Sequence, residues 1–538
     1  MPSRRLQFRP REVHVLATLA FALLAALTFT ARFSLNPDGV SYLDLAAVLG
    51  NGNGPGFVQS YWSPLYPALF AAFSKLTGLG GPNLIPNAHL VNLGFLFGTL
   101  VILVRWAARI PDPAFGRAAI ASLLLCSFGP PRVEAVTPDL LLILVLTALS
   151  YQLVVLEGKR WLVTGLLMGG AFLVKTSIWP WLLIGAGIRL WAAGDGKARG
   201  AVLRSTLVAA AVMLVWIVPL SRKEGRLTMG SSGRLNYCWY LAGCDSRIPD
   251  AHRGAHRAYQ QVLVPELGTT VTVARFDQAD SWTYQPWADP TSWAEGVQLP
   301  IRTPPTLFQL LAYWFQLAAA VFGRWLLPLL LTVLLPVVWS RRRMASQATP
   351  TARRSALVLI ILGLMGLGQF IAVHAEPRLI APFALMLALG TLQWTIGTGA
   401  PAQASGRRSR WGPEWLGVVA AVAFCIVRIT FGLDVDRRLA GTITELRETG
   451  GRFAEAGVSM RRIAIVGQAM PVVATAYLVQ GHIVGQILPE SAQAVFRLPR
   501  DQQQSVIDRV FAGRADVAWL VGAGGGVQFL PVGPTRVP

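Results

Sequence analysis

The chain has 538 residues, of which 53% are hydrophobic and only 14% charged. A soluble protein of this length carries about a quarter charged residues, so these proportions exclude an ordinary water-soluble globule and describe a polytopic membrane protein. The formal net charge of +21 does not imply a nucleic-acid partner, because the basic residues fall in short clusters between apolar runs and not on one soluble face.

Those clusters set the topology. Arg105/Arg109/Arg117, Lys159/Arg160, Lys197/Arg199/Arg204, Arg341/Arg342/Arg343 with Arg353/Arg354, and Arg407/Arg408/Arg410 mark cytoplasmic loops, since Lys and Arg resist translocation. Arg4, Arg5, Arg9 and Arg11 precede the first apolar run, 13–29. That run is long and no small-x-small cleavage site precedes Asp38, so it reads as a retained first span with a cytoplasmic N-terminus.

In chain order, spans are expected at about 13–31, 84–104, 117–130 and 140–156, then two short ones within 161–191, then 204–220. Others are expected within 306–340 and at about 355–373, 379–396 and 415–431, giving about 11 transmembrane helices. An outer loop, 32–82, opens with Asn36-Pro37-Asp38-Gly39. This is a turn signal, because Pro fixes φ and Gly permits a bend. The loop continues through the Gly/Asn-rich 51–56 to an interfacial helix expected near 64–76. A second outer loop, 221–304, is long enough to imply function and rich in aromatic residues. Among them Trp282, Tyr284, Trp287 and Trp293 suit sugar stacking or interfacial anchoring equally.

Residues 1–431 therefore read as one membrane domain. From 432 to 538 the character changes. Stretches 462–467 and 517–522 look like buried strands ending in turns, so this segment reads as a small extracytoplasmic α/β domain. The glycine run 522–526 closes the second strand, but no helix follows it, so a turn accounts for it better than a nucleotide loop. Cys126 and Cys425 lie in apolar runs as packing residues, while Cys238 and Cys244 share an outer loop where a disulfide is an open alternative.

With this topology the outer face collects Asp38, Asp44, Glu134, Asp139, Lys175, Arg222, Lys223, His374, Glu376 and Arg378, each near a helix end. Ionisable residues at a membrane boundary are functional candidates by default. Each also has a plain alternative: Asp38 as a helix cap, Glu134 as a partner of Arg132, Asp44 as a solvated or locally paired acid. The 6 His residues form no dense acid–His cluster, so no zinc site is expected and no cofactor is required. A divalent ion bridging carboxylates and a phosphate has no support in the sequence.

Five motifs at these helix ends resemble the GT-C superfamily of integral membrane glycosyltransferases. They are Asp38-Gly39-x-x-Tyr42, Trp62-Ser63-Pro64-Leu65-Tyr66-Pro67, Thr137-Pro138-Asp139, Leu173-Val174-Lys175-Thr176 and Glu376-Pro377-Arg378-Leu379-Ile380-Ala381-Pro382. Within the superfamily the likeness is greatest to the bacterial group of aminoarabinose, galacturonosyl and protein O-mannosyl transferases, and it covers roughly 12–395. Leu379 stands where many relatives have Tyr, and Ser63-Pro64 where the aminoarabinose transferases have Lys-Pro.

The resemblance implies a sugar donor on a polyprenyl phosphate, an acceptor hydroxyl on a glycan, glycolipid or protein, and an inverting displacement at the bacterial inner membrane's outer face. It assigns Asp38 as the base and Asp139 as the second acid. Lys175 and Arg378, backed by Arg222 and Lys223, would bind the leaving phosphate. Glu134, Tyr42, Tyr66, His374 and Glu376 are further substrate-binding candidates. Two other readings are weighed against this one: a transporter or flippase of lipid-linked sugars, and a non-catalytic assembly component. Acids and cations at one face, not at mid-bilayer, disfavour transport.

Overall fold

The computed structural model describes residues 11–110, 113–128, 135–156, 160–240, 259–276, 282–293, 329, 350–371, 376–395, 415, 417–430, 433, 461–522 and 527–532. The expected span within 306–340 (Leu329 apart), Glu134, His374, Cys244 and the side chains of Cys238 and Trp293 lie outside these residues. The chain divides into two compact units.

The first unit comprises Met1–Arg32, His89–Met229 and Pro305–Val435. The helices α1 (Arg11–Thr30), α2 (Pro37–Gly50), α3 (Gly54–Phe57) and α4 (Leu65–Thr77) begin the chain, and of these only α1 belongs here. Next come α5 (Leu84–Ala107, in this unit from His89), α6 (Pro113–Phe128), α7 (Asp139–Val154), α8 (Trp161–Val174), α9 (Trp179–Ala192) and α10 (Gly196–Glu224). Among the described residues four helices are long and apolar enough to cross a bilayer: Arg11–Thr30, Gly81–Ala107, Gly196–Glu224 and Arg353–Phe370. Four shorter apolar helices accompany them, Ala114–Ser127, Asp139–Val154, Trp161–Val174 and Gly417–Thr430. The unit is a helical membrane bundle.

Between helices in lipid, close packing replaces the hydrophobic drive available in water. Gly165 and Gly169 of α8 supply it. A Cβ at Gly165 would stand 2.5 Å from the Ser205 carbonyl oxygen of α10, and one at Gly169 2.5 Å from Val212 Cβ. The four-residue spacing puts both glycines on one face, so α8 and α10 meet backbone to backbone. Two indoles join other helices: Trp106 Nε1 donates to Gln393 Oε1 at 3.0 Å, and Trp181 Nε1 to the Leu362 carbonyl at 2.7 Å. Asp195 starts α10 by accepting from Ala198 N–H at 2.7 Å, an N-cap bond.

The second unit comprises Phe33–Ala88, Gly230–Pro304 and Asp436–Pro538. It holds α2, α3 and α4, then α11 (Ser232–Tyr240), α12 (Gln285–Ala288) and α13 (Pro290–Trp293). In chain order, α14 (Pro350–Ile371), α15 (Pro377–Thr395) and α16 (Gly417–Thr430) belong to the membrane unit; α17 (Val473–Leu478), α18 (Pro489–Phe496) and α19 (Arg500–Phe511) return to this one. Its sheet has six strands: β1 (Tyr259–Val264), β2 (Thr269–Arg275), β3 (Arg462–Gly467), β4 (His482–Ile487), β5 (Val517–Val521) and β6 (Val527–Pro531), in the order β1-β2-β4-β3-β5-β6. The central trio β4-β3-β5 is parallel, and the outer pairings are antiparallel. β3 and β5 are the two strands expected, almost wholly buried, as parallel strands covered on both faces require.

The sheet is larger than the segment 432–538 expected to contain it. β1 and β2 come from the long outer loop, and Val273, Ala274 and Arg275 of β2 pair with Ile487, Gln486 and Gly485. Glu266, in the turn of that hairpin, accepts from Ser505 and Arg509 of α19. The Ser505 hydroxyl is the chief cause of a carboxyl held below its usual range. β5 and β6 pair antiparallel, Val521 with Val527, and of the glycine run only Gly522 is among the described residues.

Candidate active site

Asp38 belongs to the second unit. Asn36 adopts an extended conformation, Pro37 opens α2 at its first position, and Asp38 follows in the first turn, where a helix N-terminus favours an anion. The bend therefore precedes Pro37, and Gly39 is already helical. Asp38 stays partly exposed and accepts from the Trp287 indole Nε1 at 3.2 Å. The backbone at Trp287 is fixed in turn: its carbonyl accepts from Ser41 Oγ at 3.2 Å and from Trp62 Nε1 at 3.2 Å. Trp62 Nε1 also lies 3.0 Å from the Ala288 carbonyl.

Aromatic rings surround this bond. Trp287 lies 5.9 Å from Trp62 and 6.3 Å from Tyr61 between ring centroids, and both Tyr61 and Trp287 are half-buried. Tyr42 meets Trp62 at 5.0 Å and Tyr66 at 5.3 Å, both edge-on. Tyr66 is wholly buried and Tyr42 nearly so. Those two rings pack α2 on α4, whereas Tyr61 and Trp287 keep exposed surface beside the carboxylate.

Asp44 is neither solvated nor paired with a neighbour in sequence. It is buried, and Thr283 binds it twice, by backbone N–H at 2.9 Å and hydroxyl at 3.0 Å. Burial pushes its carboxyl up to about 7 against these two hydrogen bonds. The adjoining aromatics serve the sheet: Tyr284 donates to Gln486 Oε1 at 3.2 Å, and the Trp282 carbonyl lies 3.0 Å from His482 Nδ1. Thus of Trp282, Tyr284 and Trp287, the first two are structural and the third reaches Asp38. Nothing in the sequence pointed to Thr283, whose partner is 239 positions away.

In the membrane unit, Asp139 and Lys175 form an ion pair at 2.7 Å, with side chains 2% and 15% exposed. Asp139 opens α7 and Lys175 follows α8 in an extended conformation that breaks the helix before the short turn 176–178. Lys175 Nζ also stands 5.8 Å from the centroid of Phe370 on α14, and Gln369 donates to the Ser177 carbonyl at 2.6 Å. Three helix ends therefore gather round one charge pair. Glu376 and Arg378 form a second ion pair at 2.7 Å where α15 begins. Arg222 and Lys223 are exposed in the last turn of α10. Among the described residues no group of three or more His, Cys, Asp or Glu is placed to hold a metal.

No family model and no curated protein sequence matches this chain. Among solved structures it is similar to ArnT from Cupriavidus metallidurans in the apo state, with 11% identity, a TM-score of 0.41, and 95% of this chain and 93% of that chain covered. It is also similar to the same protein bound to undecaprenyl phosphate, at 12% identity and a TM-score of 0.42, covering 96% and 94% of the two chains.

Proposed function

We propose that this chain is a bacterial inner-membrane glycosyltransferase of GT-C type that moves a sugar from a polyprenyl-phosphate donor to an acceptor hydroxyl on the extracytoplasmic side. The acceptor oxygen attacks the anomeric carbon as the bond to the phosphate breaks, with inversion. Asp38 takes the hydroxyl proton, which makes a weak nucleophile competent. Polyprenyl phosphate leaves, a lipid of the class held in one of the ArnT crystal structures. Lys175 meets its growing charge as a point cation and Arg378 as a planar fork; Asp139 holds the Lys175 ammonium in place.

The observation that carries this reading is Asp38: a partly exposed carboxylate, oriented by an indole N–H and flanked by half-buried aromatic rings. A base beside stacking surfaces is what transfer to or from a sugar ring needs. The test is transfer from a panel of polyprenyl-phosphate sugars by membranes carrying wild type or Asp38→Asn. A general base contributes typically 10²–10⁴-fold, so an equally well inserted Asp38→Asn chain is expected to lose about that much. Full activity in Asp38→Asn would remove Asp38 from the role of base, and a wild type inactive with every donor would remove the reading itself.

A further inference from the structure

A second set of charges lies at the other end of α7 from Asp139, about 20 Å along the helix at 1.5 Å per residue. Arg105 from the last turn of α5, Arg109 just beyond it, Tyr151 and Gln152 from α7, Leu156 after it, and Arg160 line a cavity of about 420 Å³. That volume falls within the ~300–1,000 Å³ typical of small-ligand sites. The described lining includes no carboxylate, and none of the three guanidinium groups makes an ion pair among the described residues. The three arginines are exposed, so water screens much of their repulsion, and what remains leaves the space positive and open to an anion.

Four further features define that anion. Guanidinium forks match phosphate oxygens in pairs, which favours a phosphate over a chloride. Arg160 is also the N-cap of α8, whose first turn has no side-chain cap, so unpaired N–H groups add to the positive field. Gln152 is buried, and its Oε1 has no hydrogen-bond partner, leaving an acceptor for a ligand hydroxyl. Ile102 and Leu156 give the cavity an apolar side as well.

We propose that this cavity binds a phosphate-bearing anion at the cytoplasmic end of the bundle, the phosphodiester headgroup of an anionic phospholipid being the source its apolar side favours. The sidedness follows from the arginines themselves, which mark cytoplasmic loops. That leaflet's anionic lipids contribute about 1 kcal/mol per basic residue near the surface. The site is independent of the transfer reaction proposed above, and its test reads binding alone.

The experiment uses the full chain, purified and exchanged into mixed micelles with phosphatidylglycerol, phosphatidylcholine or inorganic phosphate, and counts retained adducts by native mass spectrometry. Wild type is expected to retain phosphatidylglycerol over phosphatidylcholine, and each Arg→Gln change at 105, 109 or 160 to weaken retention on the order of fivefold. Displacement of the lipid by millimolar inorganic phosphate, dependent on the same arginines, would assign the site to free phosphate. Should the Gln variants fail to insert, the triple Arg→Lys variant keeps the topology charges and is expected to lose retention through its missing forks. Retention unchanged in the variants, or no preference in wild type, overturns the proposal.

Discussion

Trp287 presents Asp38 with a single N–H, and the bond is testable apart from the ring. Trp287→Phe keeps an aromatic surface but removes the donor. A hydrogen bond to a charged group contributes about 1.5–3 kcal/mol, so kcat is expected to fall roughly 10- to 100-fold with KM for the donor little changed; a matching rise in KM would show that the ring, not the bond, matters. The Asp139–Lys175 pair makes a different prediction. Lys175→Gln strands a carboxylate only 2% exposed, and breaking a buried pair costs about 3–5 kcal/mol. Adding Asp139→Asn to that variant is expected to restore thermal stability without restoring transfer. Recovery of both would make the pair structural only. Of these residues, Asp38, Asp139 and Lys175 were legible in the sequence because charge at the end of an apolar run is costly. Trp287 was visible only as one of several loop aromatics, since no local pattern distinguishes a ring that reaches a carboxylate from one that packs on a sheet.

At the scale of elements, the contact between α2 and the segment 282–288 is a pH-dependent latch. The fold keeps a proton on Asp44 that the unfolded chain gives up above about pH 4. Stability of the latch is therefore greatest in acid, falls as pH rises from about 4 to 7, and is flat beyond, a span on the order of 4 kcal/mol. Protection factors across 282–288, which divide out the intrinsic base-catalysed rise of amide exchange with pH, are expected to fall over that range in wild type. In Asp44→Asn, whose amide stays neutral, the dependence should vanish; if it persists, another group titrates. The helices themselves were the most readable part of the chain, because apolar runs of the length of α1, α5 and α10 leave little choice. The strands β1 and β2 were not read, although Thr269 to Arg275 alternates plainly: a single hairpin is only marginally stable in water, and the partner that completes it lies far down the chain.

For the whole molecule, that distant pairing changes the meaning of a truncation. Removing residues 435–538 takes away β4, on which β2 is laid, together with Gln486 and His482, which hold Tyr284 and Trp282. Thr283, between them, is the residue that grips Asp44. A chain ending at 434 is therefore expected to become protease-sensitive within 259–288 and to lose transfer activity, even though the deleted segment contains none of the assigned catalytic groups. Unchanged resistance there would mean that the hairpin and its helices stand alone.

The same sheet imposes a schedule on biogenesis. β2 is complete at Arg275, and β4 does not begin until His482, more than 200 residues later. At roughly 5–20 residues per second, ten seconds or more pass before the ribosome has made the neighbouring strand, and much of the bundle has to be inserted in the interval. Throughout it a Thr/Val-rich strand waits with one edge open, which is the form of chain most prone to pair with the wrong neighbour. Synthesis of this protein thus carries a window of vulnerability whose length is written into the order of its strands, and in which a holdase would have the most to protect.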